Sequence, residues 1–199
     1  MMIVGTSVAT AQAGQAGTVP TGNDISYPQC GQAFPSGQAF GIVAVNEGVA
    51  NITNSCLAAE MAWARASSGA SRQPRVARTR GVPAPGHYRW WLDVETVNSW
   101  TLSAQDNRAD LEGMATYFRS IGGAVGIYST MKQWGPLTGT IGPASPLYRL
   151  PDWLAGAKTL AQAEKNCRLV PLTGGGTVAV TQWAAFPANR DFACPPSLK

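Results

Sequence analysis

The sequence predicts an α/β fold of the parallel-barrel class, a TIM-type (β/α) barrel, and three observations carry that expectation. Short apolar runs alternate with helical patterns along the chain, and the runs are continuous in Val, Ile and Leu instead of alternating with polar residues. Strands of that composition are covered on both faces, as in a parallel sheet flanked by helices. A doubly wound nucleotide-binding sheet would add a glycine-rich loop between its first strand and helix. The run GGGT at 174–177 instead precedes a strand pattern and reads as a turn. A barrel needs no such loop and places its chemistry at the C-terminal ends of its strands.

The elements follow in order. NDISY (23–27) starts a strand, and AFGIVAVN (39–46) is a buried one. NSCLAAEMAWARA (54–66) has an Asn N-cap and apolar residues at helical spacing. RWWLDVET (89–96) is the next strand. Residues 104–123 form an amphipathic helix, acidic in its first half and stopped by Gly122-Gly123. AVGIYST (124–130) and DWLAGA (152–157) read as strands, LAQAEKNC (160–167) as helix, RLVPLT (168–173) as a weak strand and TVAVTQWAA (177–185) as the last strong one.

With 199 residues, 45% of them hydrophobic, the chain fits one domain with a proper core. Charged residues are only 13%, the opposite of a disordered composition. The net charge of +4 is local: Arg65, Arg72, Arg75, Arg78, Arg80 and Arg89 lie between Glu60 and Asp93 with no acid among them. The other nine cations face all eleven acids. That basic segment carries Pro and Gly where a nucleic-acid platform would interleave aromatics, so nucleic acid is not an expected partner.

Residues 1–13 are small and apolar and end in Ala11-Gln12-Ala13, an A-x-A pattern, so they read as a partial signal peptide lacking its basic start. Residues 14–22 form a leader, and 23–199 a single domain with an irregular basic insert at about 68–88. No run approaches the ~18 apolar residues of a membrane span. Export suits the four cysteines, Cys30, Cys56, Cys167 and Cys194, as two disulfides. Three pairings are open, of which sequence-local closure favours Cys30–Cys56 and Cys167–Cys194. Their spacing suits no zinc site, and no metal or cofactor is expected. The one histidine, His87, stands beside Pro85 and Gly86 and reads as exposed loop. A monomer is expected.

RWWLDVET sets two acids into the most apolar part of the chain. Buried carboxylates cost several kcal/mol unless paired or hydrogen-bonded. Alternate side chains of a strand share a face, so Trp91, Asp93 and Glu95 point one way and Trp90, Leu92 and Val94 the other. In a barrel the apolar set faces the helices and the acids line the interior near the mouth, with Cα atoms roughly 6.6 Å apart. Paired carboxylates near tryptophans suit glycosidic bond hydrolysis, one protonated and its neighbour ionised. The alternative is a pair of acids satisfied by core hydroxyls, amides or an arginine.

Asp24 in NDISYPQ, the strand LDVE, GIYST (126–130), DWLAGA and TQW (181–183) occur in this order. Together they resemble the family 25 glycoside hydrolases, the lysozyme-like muramidases, and especially their secreted, disulfide-containing relatives. The resemblance runs from Asn23 to Cys194, about 150 residues with one gap. It implies a modified barrel that cuts the β-1,4 bond between N-acetylmuramic acid and N-acetylglucosamine in peptidoglycan. Carried over position by position, it makes Glu95 the general acid and Asp93 the carboxylate that assists it, either steadying positive charge or orienting the substrate acetamido group. Asp24 completes the acidic floor. Tyr128, Trp153, Gln182 and Trp183 match cleft-lining positions, each aromatic having core filling as its alternative. Asp191 in NRDFAC is the candidate for a further acid after the last strand, and Trp100, in the loop past Glu95, is a sugar platform or a lid over core.

The chain departs from the family between about Ala66 and Arg89. A third strand with its loop and helix is expected there, and the residues are arginine-rich and proline-punctuated instead. One β/α unit is therefore lacking or distorted. A wall-glycan-binding module without turnover, and a truncated non-functional relative, remain the alternatives to a secreted or cell-wall-associated hydrolase.

Overall fold

The computed structural model describes residues 2–5, 21–47, 52–67, 82 and 84–195. The chain forms β1 (Met2–Gly5), β2 (Thr21–Ile25), β3 (Phe40–Ala44), α1 (Leu57–Ser67), β4 (Arg89–Val94), α2 (Ala104–Ser120), β5 (Ala124–Ser129), α3 (Trp134–Thr138), β6 (Pro151–Ala157), α4 (Leu160–Asn166), β7 (Thr177–Trp183) and β8 (Arg190–Ala193). The barrel closes in the order β1-β3-β2-β8-β7-β6-β5-β4. The expected parallel core is present: β2 pairs with β3, and β4, β5, β6 and β7 run parallel in succession. Two strands depart from a regular (β/α) barrel. β8 is antiparallel to both β2 and β7, and β1 is antiparallel to both β3 and β4.

The alternation read in β4 is obeyed. Trp90, Leu92 and Val94 join the outer apolar layer with Leu111, Ala115 and Phe118 of α2. The Trp90 and Phe118 rings stack at 4.2 Å, and the Trp90 indole N–H donates to the Pro85 carbonyl. On the other face, Trp91 packs inside the barrel with Phe40, Ile42, Tyr128, Trp153 and Val180. Helix α2 starts where the Ser103 hydroxyl accepts the Asp106 N–H. It stops at Gly122, whose φ of +83° turns the chain so that the Gly123 N–H reaches the Phe118 carbonyl.

The inner layer explains one glycine. A Cβ on Gly126 would lie 2.3 Å from the Trp91 ring and 2.8 Å from the Pro151 carbonyl oxygen. Gly126→Ala is expected to cost about 1–3 kcal/mol, as overpacking does. A denaturation midpoint equal to the parent's would show that Trp91 can move aside.

RLVPLT is a loop, correcting the strand expectation. β6 and β7 pair directly, so no ladder position is open beside them. Pro171 lacks an N–H, and the Asp152 carboxylate takes the Leu172 N–H at 2.6 Å. GGGT forms the expected turn, with the Gly176 N–H on the Thr173 carbonyl. Both disulfides join the sequence-local pairs, Cys30–Cys56 and Cys167–Cys194, with Cα separations of 5.6 and 5.5 Å. His87 is exposed in a short turn of 3₁₀ helix, Pro85–His87.

Between β3 and β4, the position where a third strand is expected, the structure places β1. Met2 to Gly5 pair with Leu92 to Arg89 of β4, and Ile3 to Gly5 with Ala44 to Ile42 of β3. Without β1 those two strands would be unpaired edges, which sheets do not leave open without protection. The A-x-A pattern at 11–13, the leader up to residue 20, and most of the basic insert (68–81 and 83) lie outside the described residues. A chain starting at Gly14 is expected to lose about 2–3 kcal/mol, the net worth of a few ladder hydrogen bonds. A thermal melt of that chain coinciding with the full chain's would show that the barrel closes without β1.

Candidate active site

β4 carries the first part of the site. Asp93 is its penultimate residue and Glu95 follows its end, so both sit at the C-terminal mouth on the interior face. β2 brings Asp24 from across the barrel, β5 brings Tyr128, β6 Trp153 and β7 Gln182. These side chains, with Asn189 from the loop before β8, line one recess of about 160 Å³. Ligand pockets usually hold 300–1,000 Å³, so the recess is smaller than a usual ligand pocket.

Each acid has a different setting. Asp93 is fully buried, and neither carboxyl oxygen has a hydrogen-bond partner among the described residues. Burial, and then the neighbouring Glu95, push its pKa well above the ordinary carboxylate value, which favours its neutral form. Glu95 is only partly buried, and burial raises its pKa too. Asp24 accepts the Gln182 amide at 2.9 Å on one oxygen and the Asn189 amide at 3.4 Å on the other. Burial outweighs those donors and brings its pKa to about 6.

Asp191 lies on β8, not in a loop after the last strand, and is fully buried. It accepts the Trp153 indole N–H at 2.9 Å, and burial together with Asp24 raises its pKa well above the ordinary value. It shares the interior face with its register partner Gln182 but is not among the residues that line the recess. Trp153 is itself fully buried, with the Tyr128 ring 4.3 Å away, so it forms the wall of the recess and not an open platform.

Two candidates are elsewhere. Trp183 points to the opposite side of β7, packing with Ala157, Ala163 and Phe192 under the Arg190 guanidinium. The reason is strand alternation: Gln182 faces inward, so Trp183, like Thr181 whose hydroxyl reaches the Ala163 carbonyl of α4, must face outward. Trp100 packs partly buried against the outer apolar layer, the core alternative. Asn189 was not foreseen. Its signal was weak, a single amide in the turn-rich stretch FPANR.

Residues 86–165 match the family model described as lysozyme-like protein 1, a window that holds Asp93, Glu95, Tyr128 and Trp153. A solved muramidase from Trichobolus zukalii superposes with a TM-score of 0.58 over 89% of this chain and 95% of that one, at 16% sequence identity. The chain has the fold of that muramidase. A search of curated proteins returns no significant match. The superposition extends the muramidase-like fold beyond the matched window, to β2, β7 and β8 that hold Asp24, Gln182 and Asp191.

Proposed function

We propose that this muramidase-like chain is a peptidoglycan hydrolase that cleaves the β-1,4 bond between N-acetylmuramic acid and N-acetylglucosamine. The observation that carries the reading is the pair Asp93 and Glu95 on one interior face at the barrel mouth, opposite Asp24, with a lysozyme-like sequence around them. Glu95 is the partly exposed acid with a raised pKa, which suits a proton donor to the leaving oxygen. Asp24, held by two amide donors that oppose its burial, is placed to steady positive charge on the sugar ring when ionised. Asp93 has both carboxyl oxygens without a partner among the described residues and its neutral form favoured, which suits the second of its two roles, orienting the substrate acetamido group through hydrogen bonds.

The two disulfides suit an oxidising, extracellular setting. Release of reducing sugar from purified peptidoglycan, measured for the oxidised full chain and for Glu95→Gln, tests the reading. Release by the parent alone supports it. No release by either folded protein, with both retained on the wall, would replace it with a glycan-binding module, a reading favoured by the four-residue β1 that stands between β3 and β4.

A further inference from the structure

Gln182 uses both ends of its amide inside the protein. Its oxygen accepts the Tyr128 hydroxyl at 3.0 Å, and its nitrogen donates to Asp24 at 2.9 Å. Tyrosine has a single hydroxyl proton. With that proton on the Gln182 oxygen, the amide nitrogen must face Asp24; turning the amide over would set its oxygen against the carboxylate. The other Asp24 oxygen takes the Asn189 amide, and the loop that carries Asn189 is fastened to the same side of the barrel. The Asn23 amide donates to the Asn189 carbonyl at 2.9 Å, and the Gln29 amide to the Pro187 carbonyl at 3.3 Å. Asn23 and Asp24 therefore hold Asn189 at its backbone and its side chain together.

We propose that Gln182 and Asn189 are positioning residues that clamp the Asp24 carboxylate across the barrel mouth, with Tyr128 fixing which end of the Gln182 amide faces it. Gln182 is then not a direct glycan contact. Among the described residues, the titratable side chains coupled to Asp24 are acidic: Asp93 and Glu95 from the β4 side, Asp191 from β8, and the Tyr128 phenol from β5; the N-terminal amino group acts on Asp93. Neutral amides do here what a cation would otherwise do. They favour the ionised, correctly turned carboxylate without neutralising the acidic floor. The catalytic meaning of the clamp rests on the hydrolase reading; its existence does not.

The test is carboxyl-carbon NMR titration of Asp24, assigned with Asp24→Asn, in the full oxidised chain. Gln182→Leu is expected to move the Asp24 midpoint up by about one pH unit or more, the loss of a hydrogen bond to a charged group. Asn189→Ala moves it up by less, in keeping with its longer bond, and Tyr128→Phe shifts it in the same direction. Phe186→Ala, on the same loop but fully exposed, leaves it in place. Where the parent releases reducing sugar, the pH profile of kcat/KM moves with the midpoint. Unchanged Asp24 titration in both Gln182→Leu and Asn189→Ala overturns the clamp, as does an equal shift in Phe186→Ala. Should Gln182→Leu fail to fold, Asn189→Ala, in a partly exposed loop, decides alone. A parent that releases no sugar while the midpoint still shifts keeps the clamp and removes the hydrolase reading.

Discussion

Glu95→Gln is expected to lower reducing-sugar release from peptidoglycan by about 10²–10⁴-fold, the usual worth of a general acid, while leaving the melting temperature within a few degrees of the parent's. The amide keeps the shape and hydrogen-bonding reach of the carboxyl but has no proton to give to a leaving oxygen. Glu95 lies just past the end of β4 and is partly exposed, so the fold does not lean on it as it does on the fully buried Asp93. Removing Glu95's charge also relieves the crowding of acids around Asp93 and Tyr128, both of which it pushes upward. A small gain in stability together with the loss of activity is therefore the signature of this role. Asp93→Asn should behave differently. Burial favours the neutral form of Asp93, so the amide is a close substitute for it, and the loss is expected on KM and substrate orientation more than on proton transfer. Equal losses from both variants, with no change in KM for Asp93→Asn, would show that Asp93 works as a charge, and sugar release by Glu95→Gln at the parent's rate would remove Glu95 from the chemistry.

What the sequence discloses and what it conceals divide along physical lines. The β4 face was legible because two-residue alternation is a local rule: Trp91, Asp93 and Glu95 must share a side whatever surrounds them. Trp183 failed to line the site by the same rule, since a motif places neighbouring residues together in sequence while a strand sends them to opposite faces. β1 was hidden because the small apolar residues of a leader and of a short strand have the same composition, and only the open positions beside β3 and β4 decide which they become. β8 was hidden for the converse reason. Four residues including Arg190 and Asp191 show no apolar run, and they form a strand because β2 and β7 supply a ladder on each side. Asn189 could not be read from its own position at all. Its role is made by Asn23 and Asp24, more than 160 residues away in sequence.

Those buried acids also fix how stability should depend on pH. Asp152 is fully buried on β6; one oxygen accepts the Leu172 N–H and the other has no partner among the described residues. Burial brings its pKa to about 7, against 3.8 ordinarily. A carboxyl whose folded pKa lies above its unfolded one binds its proton more tightly when folded. Its contribution is therefore complete below about pH 4 and is lost as pH rises through about 7. For Asp152 the difference between those limits is on the order of 4 kcal/mol, a large part of the 5–15 kcal/mol that holds a typical domain together. Asp24, at about 6, acts in the same direction, and so do Asp93 and Asp191. Chemical denaturation between pH 5 and 8 is expected to show stability falling with pH, the share of Asp152 and Asp24 most steeply between about 5 and 6 and levelling off above about 7. Asp152→Asn should match the parent near pH 5, since the amide oxygen can still take the Leu172 N–H, and exceed it at pH 8, where the parent must either bury a charge or let go of the 168–173 loop. A parent profile that is flat or rises toward pH 8 would mean that these carboxyls reach solvent. An unchanged slope in Asp152→Asn would move the pH dependence from Asp152 to the other interior acids, Asp24, Asp93, Glu95 and Asp191, and stability would then be coupled directly to the ionisation of Asp24.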